Sequence, residues 1–300
     1  MKKTPILLLC SAMLLSGCSG ATASISNQDK AIMTIGDTTY TKGDEYKLLK
    51  ISTGTDLTME LVKQAIYKQE VKVTKSMKKQ AQEQIDNYKE NMSNFEEQIQ
   101  SLGYSSTKQY MNKVIIPSLQ ASALTEKYFT DAKADIQKTY KPSKAQIIQC
   151  ENKANAKKAL KALKNGTSVE DVANQYAASQ GSYSGSETLV TTKTTDLPTR
   201  LINKLFKAKK AGVIDEIFTN ESSGTTYTYV AVLTSNTYKD IKDDVYTSLS
   251  SDDDITKACL VYYLKKYNFE VHDQDVFDNL KANNPEYLVS RPDLSEDSDD

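Results

Sequence analysis

The chain has 300 residues, with 38 Lys and Arg against 39 Asp and Glu and a formal net charge of -1. Its lysines are spread along the chain without the basic excess that a phosphate-binding surface shows, which argues against nucleic acid as a partner. Charged residues at 26% describe a soluble body rather than a membrane-embedded one, and the length leaves room for two modest domains.

The first residues read as an export signal. Met1-Lys2-Lys3 is a charged start, Ile6 to Leu15 is apolar, and Leu15-Ser16-Gly17-Cys18 supplies small residues at a cleavage position. The apolar stretch is far shorter than the roughly 20 residues needed to span a bilayer. Leucine, two small residues and cysteine resemble the lipobox of bacterial lipoproteins. That resemblance implies a signal peptide over 1–17, a lipid on Cys18 and a location on the extracytoplasmic face of the cell membrane. Residues 18–30 are mostly small and polar, as a tether should be.

Residues 31–40, AIMTIGDTTY, predict a short hairpin turning at Gly36-Asp37, and TKGDEYKLLK predicts a helix start. From Asp56 to Tyr140 apolar residues recur near helical spacing, interrupted by Gly103 and Pro117, so 31–140 reads as a helical domain behind a hairpin. Composition changes at Lys141-Pro142. KAQIIQC reads as a buried strand. Helices follow over Asn152–Lys164, from Ser168 to Tyr176, and over Leu197–Lys210, with a Ser/Gly-rich loop at Ser179–Ser186. Val213–Phe218 and Thr225–Thr234 read as strands around a Ser222-Ser223-Gly224 turn, so 141–236 is a compact α+β domain. Residues 237–278 read as a helical segment from Ile241 to Tyr267, with Asp252-Asp253-Asp254 at a helix start and FEVHDQDVF as a strand or an extended end. Residues 279–300 read as an acidic, disordered tail. With Cys10 lost in the signal and Cys18 lipidated, Cys150 and Cys259 either pair or act as small buried apolar groups.

Two stretches resemble the bacterial extracytoplasmic foldase lipoproteins of the PrsA kind and their SurA relatives. AIMTIGDTTYTKGDEYKLLK with LTEKYF is similar to that family's N-terminal chaperone domain. KAQIIQC, GTSVEDVANQYAAS, LINKLFKAKKAGVID and YTYVAVLTS are similar to a parvulin-type peptidyl-prolyl isomerase domain. The resemblance implies an α+β protein: a mainly helical, SurA N-terminal-like chaperone domain with an inserted parvulin-like domain, and 237–278 returning to the first. It implies unfolded or nascent secreted chains as partners, homodimerisation being left open, and neither a cofactor nor a metal.

The family's site residues are largely replaced. Its first-strand histidine falls on Gln146, its last-strand histidine on Tyr229 and its Cys/Asp position near Ser179. The proline platform is matched in part by Leu197, Leu201 and Phe206, and Thr226 stands for the hydroxyl near the last strand. The single histidine, His272, lies outside the domain, so a site that depends on histidine is excluded. A metal site or a Ser-His-Asp triad is not assembled from one histidine and two distant cysteines. Three readings follow: a membrane-anchored foldase or chaperone, an active peptidyl-prolyl cis-trans isomerase, and a non-catalytic structural or ligand-binding envelope lipoprotein.

Overall fold

A computed structural model describes residues 24–222 and 225–296. The signal peptide, Cys18 and the first part of the tether lie outside the described residues, as do Ser223 and Gly224 of the expected turn. The chain divides into two compact units, one made of residues up to Lys72 and from Leu260 onward, the other of Val73–Cys259.

Unit 1 begins with the expected hairpin. Strands β1 (Ala31–Ile35) and β2 (Thr38–Thr41) pair antiparallel around Gly36, whose φ of 58° is a left-handed turn conformation that suits glycine. Thr41 then caps helix α1 (Lys42–Glu70). Its hydroxyl accepts from the Asp44 N–H at 3.2 Å while the Asp44 carboxylate accepts from the Thr41 N–H at 2.8 Å, a reciprocal box that satisfies two otherwise orphaned donors. The end of α1 is tied down by Glu70, whose carboxylate accepts from Lys266 and from the Tyr267 hydroxyl.

The stretch 279–300, expected to be an acidic, disordered tail, is helical in part among the described residues, and the segment before it differs from expectation as well. FEVHDQDVF forms no strand. Asp273 instead caps a second helix of this unit, Gln274–Asn283, and both Asp273 and Asp275 meet the Lys50 ammonium of α1 at 2.6 Å. Val276, Leu280 and Leu288 are buried, and a short helix occupies Asp293–Glu296. Apolar residues at helical spacing give this stretch a face to bury, which the acidic composition of the last residues obscured.

Unit 2 opens with a helical lobe. The helices Lys75–Asn91, Phe95–Ser101 and Ile116–Asp131 enclose a core of Ala81, Ile85, Phe95, Ile99, Ile115 and Ile116. The Phe95 and Tyr110 rings meet edge-on at 5.8 Å, with Tyr104 beside Tyr110 at 5.2 Å. Gly103 does interrupt the helices, at φ 87°, but Pro117 does not. A wider π-helical turn over Met111–Ile115 leads into Ile116–Asp131 and puts Pro117 in that helix's first turn, where its missing N–H costs nothing.

The rest of unit 2 is an antiparallel sheet. Strands β3 (Ser143–Cys150), β4 (Ser184–Val190), β5 (Gly212–Val213), β6 (Phe218–Ser222) and β7 (Thr225–Ser235) run in the order β4-β3-β7-β5, with β6 also on β7. Successive side chains alternate between faces. Ala145, Ile147, Tyr229, Ala231 and Leu233 meet the helix Thr199–Lys207 on one face. Ile148, Cys150 and Val230 meet the helices Lys153–Lys164 and Val169–Tyr176 on the other. Gly185, at φ 90°, lets Val169–Tyr176 approach, because a Cβ there would lie 3.1 Å from that of Ala173.

Four local expectations change. Part of the Ser/Gly-rich loop is β4, because its alternating small residues pair with β3. The strand expected at Val213–Phe218 is instead the two-residue β5 and the start of β6. The helix expected at Leu197–Lys210 is shorter, Thr199–Lys207, beginning after Pro198. The helix expected from Ile241 to Tyr267 is two, Tyr238–Leu249 and Asp253–Lys266, and the Asp252 carboxylate accepts from the Asp254 N–H at 2.8 Å at the break. Cys150 and Cys259 are unpaired and buried, and burial pushes their thiols up to about 11 and about 12.

Candidate functional site

The parvulin-like site residues separate by strand parity. Tyr229 sits on the face of β7 that meets the Thr199–Lys207 helix, buried in one cluster with Leu197 and Leu201, and Phe206 packs half-buried against them. Gln146, opposite Val232, alternates to the other face, as does Thr226, which is exposed and opposite Glu221. The structure thus brings Tyr229, Leu197, Leu201 and Phe206 together and leaves Gln146 and Thr226 apart from them.

The glutamine of β3 that does face Tyr229 is Gln149, its register partner. It is buried and organises the loop beyond the Val169–Tyr176 helix. Its carbonyl accepts from the Ala178 N–H at 2.8 Å, its N–H donates to the Tyr183 carbonyl at 2.7 Å, and its side-chain oxygen accepts from the Ser182 N–H at 3.1 Å. Exposed Ser179 is carried on the turn that these bonds hold.

Tyr183 closes the arrangement. Its ring meets that of Tyr229 edge-on at 6.2 Å, and its hydroxyl donates to the Asp196 carboxylate at 2.6 Å. Burial, then the hydrogen bond and charge of Asp196, hold the Tyr183 phenol well above the ordinary tyrosine range. Burial and Asp196 raise that of Tyr229 too. Both phenols therefore stay protonated near neutral pH, the Tyr183 hydroxyl spends its one O–H on Asp196, and neither phenol is poised to act as a general base.

Gln149, Tyr183 and Asp196 were not among the residues read from the sequence. The available signals were slight: Tyr183 is the only aromatic residue within 179–186, and Asp196 immediately precedes Leu197-Pro198.

The platform itself is covered. Leu197, Leu201 and Tyr229 are 3%, 0% and 4% exposed, so a prolyl ring reaches none of them without displacement of neighbouring side chains. Among the described residues, no three side chains of metal-ligating type gather.

Elsewhere, unit 1 exposes large apolar groups. Met33 and Ile35 of the hairpin are 60% and 72% exposed, and Leu48, Ile51 and Leu61 of α1 are 68%, 75% and 68% exposed. Among the described residues, no helix is long and apolar enough to cross a membrane.

The class defined by these features is an α+β protein in which helices carry a small antiparallel sheet with helices on both faces. No family model matches the chain. Foldase protein PrsA of Bacillus subtilis (strain 168) is 23% identical over 287 residues, covering 91% of each chain. Among solved structures, the peptidylprolyl isomerase PrsA of Bacillus cereus is 19% identical with a TM-score of 0.48, covering 86% of this chain and 99% of that one. Foldase protein PrsA of Streptococcus pneumoniae is 17% identical with a TM-score of 0.39 over the same shares, 86% and 99%. The chain is thus similar to a PrsA-type foldase along most of its length, as its segments suggested.

Proposed function

We propose that this chain is an extracytoplasmic foldase that acts mainly by holding unfolded segments of exported proteins, anchored by lipid on Cys18. The observation that carries the reading is the exposed apolar surface of the hairpin and α1. A two-stranded hairpin is marginal by itself, and the large apolar side chains left exposed on hairpin and helix gain when another chain covers them. The whole-length similarity to a PrsA foldase supports the same reading. A lipid tether would keep this surface near the point where exported chains emerge, raising its effective concentration there.

A second reading, peptidyl-prolyl isomerisation, is favoured by Tyr183 and Asp196 beside Tyr229 where the family places its polar groups. Uncatalysed rotation faces a barrier of about 18–20 kcal/mol, and lowering it requires proline to sit among these side chains. Their burial favours the holding role.

One preparation tests both, the chain without its first 18 residues, all of which precede the described body. At several-fold excess it is expected to suppress aggregation of an unfolded exported protein, and to leave a proline-limited refolding rate unchanged. Aggregation that proceeds unhindered would remove the holding role, and faster refolding would restore the isomerase.

A further inference from the structure

We infer that a groove on the helical lobe of unit 2 binds the main chain of an extended client peptide, independently of its sequence. The inference rests on the foldase reading and deepens it by naming what part of the client is recognised. The groove has a volume of about 550 Å³ and is lined by Gln80, Glu83, Gln84, Asn87, Tyr88 and Leu119. The first five belong to the helix Lys75–Asn91 and Leu119 to the helix Ile116–Asp131.

Gln80, Gln84 and Asn87 are spaced by four and three residues, so they form one row along the Lys75–Asn91 helix. Ala81 and Ile85 of the same helix are buried in the lobe core, which fixes the row on the outer side. The three side-chain amides are exposed and have no hydrogen-bond partner among the described residues. The neighbouring Gln82 amide, by contrast, is engaged with Asp86 at 2.8 Å. Each amide offers one acceptor and two donors, the complement of a peptide unit.

The spacing fits an extended chain. Four residues of helix rise about 6 Å. Two residues of strand rise about 6.6 Å, after which the same edge of the backbone is presented again. Gln80 and Gln84 therefore address successive peptide units of one edge, and side-chain flexibility takes up the difference. Asn87, about 4.5 Å further along, falls about 2 Å short of the following same-edge unit and lies nearest the same stretch of backbone as Gln84.

The walls suit the same occupant. Tyr88 and Leu119 offer apolar surface to whatever side chain points inward, and the Glu83 carboxylate, one oxygen of which lies 3.4 Å from the Lys79 ammonium, has a second oxygen to accept from a client N–H. Main-chain amides and unspecific apolar contacts are common to all unfolded chains, so a groove of this kind takes many sequences.

The test uses a labelled, lysine-capped peptide of alternating valine and threonine, and a copy in which alternate amides are esters. Binding is measured to the chain without its first 18 residues and to its Gln80→Ala, Gln84→Ala, Asn87→Ala triple variant. The three positions are exposed helix sites where alanine preserves the fold. A single hydrogen bond changes affinity by up to about tenfold. The triple variant is expected to bind the amide peptide at least about tenfold more weakly, and to lose most of the parent's preference for amide over ester.

Equal binding by parent and variant, or no amide preference in the parent, overturns the inference. So does displacement of the peptide by a neutral oligosaccharide, which would make the amides and Tyr88 a sugar site. If the parent also fails to suppress aggregation, the foldase reading falls with it. If it suppresses aggregation as well as the variant does, only the groove is lost.

Discussion

The sheet face beneath the Thr199–Lys207 helix and the hairpin and α1 of unit 1 are both rich in apolar residues, yet they meet water in opposite ways. Leu197, Leu201 and Tyr229 are almost wholly buried, whereas Met33, Ile35 and Ile51 are mostly exposed. The first region is the one that resembles an enzyme, and it is filled by its own side chains. The second carries no catalytic motif and is open. Packing alone can maintain the first arrangement, while the second leaves large apolar side chains in water, where another chain can cover them.

The sharpest way to break this comparison is Leu201→Ala. Leu201 is 0% exposed, so truncation should leave a cavity and cost about 2–5 kcal/mol in a denaturant titration followed by circular dichroism. A loss below about 0.5 kcal/mol, the range of ordinary surface substitutions, would mean that the residue lines an open platform after all.

The cysteines probe the closed regions by pH. Their folded values, about 11 for Cys150 and about 12 for Cys259, are raised from an ordinary 9.0. The unfolded thiols ionise first as pH rises, so the unfolded state binds fewer protons and the folded state is penalised. Stability from these groups is whole below pH 9 and declines from there toward the two folded values. At pH 8 a thiol reagent should label neither cysteine in the native protein and both in denaturant. Ready labelling of Cys150 in the native state would show that the sheet's second face opens.

Local chemistry was the legible part of this fold. Thr41 with Asp44 marked the start of α1, Asn152 and Ser168 marked two more helix starts, and KAQIIQC marked β3. What could not be read depended on partners distant in the chain. The Ser184–Val190 stretch looks like a loop until β3 lies beside it. Pro117 looks like a break until a π-helical turn absorbs it. Residues from 279 look like a tail until Leu280 and Leu288 find cover. Which of the candidate site residues share a face depended on strand parity. Aligning Gln146 to a histidine preserves position in the sequence, but strand parity gives the face beside Tyr229 to Gln149, three residues on. A bulge in the pairing of β3 with β7, between Lys144 and Ala145, shows how little offset is needed to exchange the faces.

The smallest expected change in stability tests the open region. Ile51→Ser combined with Leu61→Ser alters two α1 residues that are 75% and 68% exposed, so the double variant should unfold within about 0.5 kcal/mol of the parent. Its ability to suppress aggregation should nonetheless fall clearly, because each substitution removes apolar surface that a client would cover, at roughly 25 cal/mol per Å². Stability and holding then separate in opposite senses at the two regions: Leu201→Ala weakens the fold through a residue no client reaches, and the α1 pair weakens holding without weakening the fold. A double variant that destabilises the protein by several kcal/mol would show that this part of α1 is covered in the native molecule. One that keeps full holding activity would move the client surface away from α1.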